Sequence, residues 1–157
     1  VCLAKGIGGM GTPMALNLVK PEHDKHWAPG EHTGTFRGQS LSFVAGTEAL
    51  TYFEDDSLMN QVKDYGEVMQ ASLDQLSDQH ADLQVRGKGM ILGLDVGDGE
   101  KSKAIVGKCF DKDLLIAACG TGGRVIKLIP PLTIPKDDLE QGLTILIEAT
   151  NEVLEAA

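Results

Sequence analysis

The chain of 157 residues is poor in cysteine, in aromatic side chains and in positive charge. Its three cysteines are odd in number and share no C-x-x-C spacing, which argues against a disulfide framework or zinc knuckle and favours a reducing cytosol. Lys and Arg number 14 against 23 Asp and Glu, a net charge of -9, and no basic stripe with interleaved aromatics offers itself to nucleic acid. No apolar run reaches the roughly 18 to 20 residues of a membrane span. These features predict a soluble, cytoplasmic protein without a nucleic-acid or membrane partner.

The chain also begins without a methionine or a signal peptide. Val1, Cys2 and Leu3 have the character of the middle of a buried strand. We therefore expect this sequence to be the C-terminal part of a longer protein. With 42% apolar residues it has the composition of a folded chain, which at this length buries roughly 70% of its unfolded surface.

Apolar periodicity predicts a mixed α/β chain. Spacings of three and four predict a long helix over 57–80 with one face buried along its whole length. A helix predicted over 38–53 carries Ala45, Gly46 and Ala49, small residues that permit close packing against a sheet. The other predicted elements are a strand or brief helix at 14–19, strands at 83–85, 90–96, 114–118 and 124–129, and helices at 102–112 and from Pro135 onward. In the helix at 102–112 we expect Ile105, Val106, Cys109 and Phe110 to face inward.

The segment VCLAKGIGGMG at 1–11 places Lys5 between an apolar run and a glycine-dense loop. A lysine that forms a Schiff base must reach its neutral form, although a free lysine titrates near roughly 10.4. Apolar neighbours disfavour the ammonium by desolvation, and Gly6, Gly8 and Gly9 allow a bulky cofactor to approach the backbone. Taken alone, the pattern is more typical of an ordinary solvated lysine at the end of a strand.

The same loop contains a G-x-G-x-x-G pattern at Gly6, Gly8 and Gly11. A dinucleotide-binding unit needs a full crossover helix and a second strand after this pattern. Here Pro21 interrupts the chain, and the polar stretch 22–34 has no strand character. The sequence therefore does not predict nucleotide binding.

Three histidines, His23, His26 and His32, lie within ten residues of one another beside several carboxylates. Metal ligands have to converge on one point, and this loop has no helical or strand spacing that would bring them together. We expect a solvated surface loop and no metal site.

Three blocks of the sequence are informative together: LAKGIGG at 3–9, GTFRGQSL at 34–41 and VIKLIPPLTIP at 125–135. They resemble the class III aminotransferases, pyridoxal-phosphate enzymes of fold type I. The first block is similar to the lysine segment of that family, the second to its G-[ST]-[TS]-[FY]-G-G-N-P-L block, and the third to its V-[IL]-R-[FL]-x-P-P-L-x-I strand. The blocks occur in the family's order. The resemblance implies an α/β fold in which 1–78 form the end of the cofactor-binding large domain with a linking helix, and 79–157 form a C-terminal small α+β domain.

The resemblance also implies roles for four residues. Lys5 is the expected Schiff-base lysine, both catalytic and cofactor-binding, and Thr35 is expected to meet the phosphate of pyridoxal 5'-phosphate across the interface of a homodimer or higher homo-oligomer. Lys127 stands where the family has a substrate-carboxylate arginine, and lysine offers a point charge in place of the arginine fork. Arg37 replaces the first glycine after the aromatic residue, where it contacts a substrate carboxylate, the phosphate side or a structural ion-pair partner.

Within the family, 29–50, 85–97 and 127–143 are most similar to the ectoine-pathway members. Those enzymes transfer an amino group from L-glutamate to L-aspartate 4-semialdehyde and give L-2,4-diaminobutyrate and 2-oxoglutarate. Most of the family's cofactor cradle lies upstream of these blocks, so we expect the isolated chain to be inactive. Ornithine, acetylornithine and 4-aminobutyrate transaminases remain alternatives, as does a non-catalytic dimerisation module.

Overall fold

The computed structural model describes residues 1–9 and 11–156. These residues divide into two compact units, Val1–Ser57 and a second unit that begins at Leu58. The sequence predicts a boundary near residue 78, whereas this division falls at the start of the long helix. The difference arises because the helix packs its apolar face, through Met69, Leu73 and Leu76, into the core of the second unit.

The first unit is built around a two-stranded antiparallel pair. Strand β1 is Cys2–Ala4 and strand β2 is Ala15–Asn17, with Cys2 opposite Asn17 and Ala4 opposite Ala15. A 3₁₀ turn, Lys5–Gly8, follows β1 directly. Two helices complete the unit, the four-residue α1 at Pro21–Asp24 and α2 at Ser40–Thr51.

Strand β1 is correctly predicted, but its expected burial is wrong for this chain. Val1 is 78% exposed and Leu3 is 37% exposed. Within the described residues, β1 pairs only with β2, and a two-stranded ribbon by itself buries little of either face. The apolar residues ahead of Lys5 therefore lie at the surface.

The second unit is an antiparallel sheet with three helices packed on one face. Strands β3 (Gln84–Lys88), β4 (Ile91–Asp95), β5 (Ala117–Cys119) and β6 (Val125–Leu128) are arranged in the order β3-β4-β6-β5. The helices are α3 (Ser57–Gln79), α4 (Gly99–Asp111) and α5 (Lys136–Glu155). Of the helices in the described ranges, none is long and apolar enough to cross a membrane.

The core lies between one face of this sheet and the three helices. Leu92 and Leu94 of β4 and Ile126 and Leu128 of β6 are buried, and alternate residues of a strand point to the same face. Their partners from the helices include Met69, Leu73, Leu76, Ile105, Cys109, Leu139, Leu143 and Leu146. By the same alternation, Gly93 and Lys127 lie on the opposite face of the sheet.

Two predictions along α4 and its following segment are wrong in detail. Phe110 is 67% exposed instead of inward, because Ile105 and Cys109, four residues apart, define the buried side of the helix and Phe110 is rotated away from it. The strand expected over 114–118 is shifted to Ala117–Cys119. The backbone N–H of Leu114 donates to the carbonyl of Cys109 and so still belongs to the end of α4.

Gly66 marks the closest approach of α3 to the turn between β3 and β4. A Cβ at this position would lie 2.9 Å from both Cα and C of Gly89, a separation that requires the turn backbone to move. Gly107, an exposed glycine within α4, offers a matched control because a Cβ there would meet no atom within 4 Å.

Gly66→Ala is expected to lower the free energy of unfolding by about 1 to 3 kcal/mol, the typical cost of overpacking. Gly107→Ala should raise it by about 0.5 to 1 kcal/mol, because alanine favours the helix. Urea unfolding of both variants measures the two changes. Equal stability of Gly66→Ala and the parent chain would contradict the close approach.

Candidate active site

Lys5 is the first residue of the 3₁₀ turn that follows β1, and its backbone is left-handed, with φ of +59°. This conformation costs a non-glycine residue about 1 to 2 kcal/mol, so it persists only where the surroundings impose it. Residues held in such conformations cluster at functional sites. Nothing in the local sequence indicates this feature.

The side chain of Lys5 is open to solvent in this chain. Lys5 is exposed, as are Val1 and Leu3, so the apolar flank expected to desolvate it does not do so within the described residues. Gly6, next to it, has open space on its side-chain side, since a Cβ there would meet nothing within 4 Å. The amine is thus accessible, with room beside it for a bulky group.

Helix α2 packs directly against this turn. A Cβ on Gly46 would lie 2.9 Å from the carbonyl oxygen of Ile7 and 2.8 Å from Sδ of Met14. A Cβ on Gly9 would lie 3.4 Å from the carbonyl oxygen of Ala45. The sequence correctly predicts close packing at Ala45 and Gly46, but the partner is the turn that carries Lys5 and not the face of a sheet.

Two hydroxyl groups hold the segment that follows the turn. Thr12 Oγ1 donates to the carbonyl oxygen of Gly8 at 2.8 Å, and the buried Ser42 Oγ of α2 lies 3.0 Å from the carbonyl oxygen of Pro13. Sequence analysis missed both residues, because a serine in the first turn of a helix and a threonine before a proline are common in any fold.

Thr35 and Arg37 lie on a tight turn ahead of α2, in which the N–H of Arg37 donates to the carbonyl of Gly34 at 3.0 Å. Both side chains are exposed, and the guanidinium of Arg37 donates to the backbone carbonyl of His32. Phe36, between Thr35 and Arg37, is 99% exposed. Within the described residues, neither Thr35 nor Arg37 forms a hydrogen bond with Lys5.

Lys127 belongs to the second unit, on β6, where it pairs with Gly93 of β4 and Ala117 of β5. Its neighbours across the sheet, a glycine and an alanine, are therefore the two smallest amino acids. Lys127 is exposed, and it forms no ion pair with any residue of the described ranges. It borders a cavity of about 560 Å³ whose other lining residues are largely apolar and come mainly from 114–117, from 128–134 and from α5.

Asp95, at the end of β4, is a buried carboxylate that connects three strands. It accepts a hydrogen bond from the N–H of Gly97 at 3.0 Å and pairs with Arg86 of β3 and, at 3.2 Å, with Nε of Arg124. The hydrogen bond from Gly97, followed by the charges of the two guanidinium groups, lowers the pKa of Asp95 against the opposing effect of burial. Because Arg124 directly precedes β6, this cluster fixes the strand that carries Lys127.

A family model described as Aminotransferase class-III matches residues 1–150. The chain belongs to the class III aminotransferases. The family resemblance carried by the three sequence blocks is thereby confirmed.

Two relatives illustrate the likeness to other class III aminotransferases. The chain is 43% identical over 155 residues to a diaminobutyrate–2-oxoglutarate transaminase of Marinococcus halophilus. The aligned region covers 98% of this chain and 36% of the relative. It is 45% identical over 149 residues to an uncharacterized aminotransferase of Sinorhizobium fredii, covering 93% of this chain and 33% of the relative. The chain therefore spans about a third of the length of these curated relatives.

Solved structures confirm the expected α/β fold. An ornithine aminotransferase from Toxoplasma gondii matches with a TM-score of 0.88 at 24% identity, covering 99% of this chain and 37% of that one. An acetylornithine aminotransferase from Elizabethkingia anophelis matches with a TM-score of 0.83 at 24% identity, covering 96% of this chain and 40% of that one. Another structure of the Toxoplasma enzyme is described as showing partial occupancy of PLP, pyridoxal phosphate, at its active site.

The cluster around Asp95 predicts a loss of stability in acid. Because the folded state lowers the pKa of Asp95, its contribution is complete above the unfolded value near roughly 3.9 and is lost as the pH falls through the lower folded value. Asp95→Asn should reduce the free energy of unfolding at pH 7 by about 1 to 3 kcal/mol and flatten its decline below about pH 4. Urea unfolding at pH 7, 5 and 3 measures both changes.

Asp64→Asn, at an exposed position of α3, serves as the matched control and should leave the stability at pH 7 nearly unchanged. The same acid dependence in Asp95→Asn as in the parent chain would show that Asp95 does not contribute.

Proposed function

We propose that this chain is part of a pyridoxal-phosphate-dependent aminotransferase that transfers the amino group of L-glutamate to L-aspartate 4-semialdehyde. The products are L-2,4-diaminobutyrate and 2-oxoglutarate. The observation that carries the proposal is Lys5, an exposed amine at the end of β1, held in a left-handed conformation beside open space at Gly6. The choice of substrates rests on the likeness to the transaminase of Marinococcus halophilus over 98% of the chain.

The residues present fit pyridoxal phosphate. An aldehyde needs an accessible amine, and Lys5 supplies one with no ion-pair partner in the described ranges. The cofactor's ring needs room close to the backbone, which Gly6 leaves free. A phosphate needs hydrogen-bond donors, and the hydroxyl of Thr35 is exposed on its turn. When bound, the cofactor supplies an aldehyde for covalent attachment and a ring that withdraws electrons.

Lys5 then has two tasks in this proposal. Its Nζ would hold the cofactor between turnovers. In the first half-reaction it would take the proton from the α-carbon of glutamate, and in the second it would give a proton to the carbon of aspartate semialdehyde that gains the amino group. Both tasks require Nζ to stay within hydrogen-bond reach of the reacting carbon. A turn whose backbone cannot drift meets that requirement better than a flexible loop.

Lys127 and Arg37 are the cations proposed for substrate carboxylates. Lys127 is exposed, between Gly93 and Ala117, so no bulky side chain of the neighbouring strands covers it. Arg37 already donates to the carbonyl of His32, and a guanidinium has five N–H donors, so it retains donors for an anion. Lysine binds a carboxylate as a point charge, with less control of orientation than arginine.

Other class III activities are distinguished by the amino donors and acceptors they accept. The solved ornithine and acetylornithine aminotransferases are similar in fold at about a quarter identity, so they support the architecture and not a substrate. A panel separates these activities: glutamate is paired with aspartate semialdehyde, and 2-oxoglutarate is paired in turn with ornithine, acetylornithine and 4-aminobutyrate. Failure of the longer protein to attach the cofactor or transfer an amino group would favour the non-catalytic module.

Lys5→Ala in the longer protein is expected to abolish covalent attachment of pyridoxal phosphate and its visible absorbance, because no other amine follows β1 at this turn. Borohydride reduction followed by peptide mapping should place the cofactor on Lys5 in the parent protein. Lys20→Ala, at an exposed lysine that pairs with Glu22 at 3.7 Å, is the matched control and should retain attachment. Recovery of the cofactor on Lys20 or Lys127 would refute the site.

Lys127→Ala is expected to lower kcat/KM for glutamate by roughly 10- to 1000-fold while the cofactor's absorbance stays unchanged, since loss of a charge partner typically costs a few kcal/mol. Lys127→Arg should retain part of the activity, because it keeps the charge while changing the shape. Steady-state kinetics of both variants make the measurement. Parental kinetics in the alanine variant would remove Lys127 from the site.

A further inference from the structure

The turn that carries Lys5 is enclosed by backbone on two sides. On one side lies α2, where Gly46 leaves room for the carbonyl of Ile7. On the other lies Met14, the residue before β2, where a Cβ on Gly8 would sit 2.9 Å from Cβ and 3.4 Å from the backbone N of Met14. The turn therefore occupies a slot with little freedom to move.

We propose that Gly46 and Ser42 of α2 are positioning residues that set the conformation of Lys5 for cofactor attachment. This inference rests on the proposed role of Lys5. In this proposal, neither Gly46 nor Ser42 touches the cofactor. Both act through the backbone of the turn and of the segment that follows.

The case for Gly46 depends on which atom a side chain would meet. Sδ of Met14 is near the end of a flexible side chain and can move away from an added methyl group at low cost. The carbonyl oxygen of Ile7, at 2.9 Å, is part of the backbone and can move only with its peptide unit. Ile7 lies two residues from Lys5 in the same short turn, so its displacement changes the position of Lys5.

Ser42 provides an independent hold one helical turn away. Its buried Oγ lies 3.0 Å from the carbonyl of Pro13, the residue before Met14. The Ser42 hydroxyl has one proton, which it shares between this carbonyl and Oε1 of Gln39, the residue before α2, at 2.7 Å. Ser42 therefore ties the start of α2 to the chain that forms the second wall of the slot.

In this proposal the left-handed backbone of Lys5 is imposed by the contacts of the rest of its turn. Ile7 lies against α2 and Gly8 lies against Met14, and an unfavourable conformation persists where the surroundings over-determine it. Attachment of the cofactor is sensitive to a shift of this turn, since a misplacement of about 1 Å can slow a reaction by roughly 100-fold. Gly46 and Ser42 thus control how fast Lys5 reacts without contributing a reacting group.

The test uses the longer aminotransferase that contains this chain, after its cofactor has been removed. Pyridoxal phosphate is then added, and borohydride trapping with peptide mapping measures the rate at which it becomes attached to Lys5. Gly46→Ala should slow this rate by about 10- to 100-fold. Ser42→Ala should slow it to a lesser degree, because it removes a hydrogen bond without adding a clash. In both variants, the NMR coupling that reports φ of Lys5 should depart from its parental value.

Two further variants separate positioning from general packing. Thr47→Ala, at an exposed position of the same helix, should leave the rate of attachment unchanged. Met14→Ala combined with Gly46→Ala should remain slow, because the Ile7 carbonyl still blocks the methyl group. Recovery of the parental rate in that double variant would assign the effect to crowding of Met14 and overturn the proposed role of Gly46.

The outcomes also separate this inference from the proposed function. If the parental enzyme fixes no cofactor on Lys5, the proposed function fails. If it does, and Gly46→Ala and Ser42→Ala react at the parental rate with an unchanged φ, only the positioning role fails. Circular dichroism checks that the variants are folded. Should Gly46→Ala unfold, the rate and coupling of Ser42→Ala decide the question.

Discussion

Both units depend on a helix lying so close to a backbone turn that only glycine fits between them. In the first unit Gly46 of α2 faces the carbonyl of Ile7, and in the second Gly66 of α3 faces the backbone of Gly89. At each place the added atoms of any other side chain would require a peptide unit to move, which densely packed interiors resist. The first contact fixes the turn that carries Lys5, and the second joins the long helix to the sheet that carries Lys127.

Much of the fold could be predicted because helical and strand periodicities are local properties of the sequence. The long helix and its apolar face appear where the spacing predicts them, and strands lie on both sides of Gly89. The errors concern strand bounds, as at 84–88 and 117–119, and exposure. Phe110 is apolar and directly follows the buried Cys109, yet it faces solvent, because burial depends on the rotation of α4 against its neighbours and not on residue type.

The candidate site was only partly visible in the sequence. The glycines around Lys5 and the block that contains Thr35 lead to the family, because those stretches are contiguous in the chain. No contiguous motif marks Ser42 or Asp95. Ser42 contacts the carbonyl of Pro13, and Asp95 forms ion pairs with two arginines, so these partners are distant in sequence or belong to another segment of the sheet. Asp95 in particular gains its low pKa from Gly97, Arg124 and Arg86, which only the folded sheet brings together.

By itself, the sequence determined the family, the order of helices and strands and the identity of the lysine in the turn after β1. These follow from residue types and short-range spacing, which are the same in the unfolded chain. Only the tertiary structure decided that Lys5 is left-handed, that α2 and not a sheet packs against its turn, and that Lys127 lies between Gly93 and Ala117. Those features are set by contacts between segments that meet only when the chain folds, so no local pattern records them.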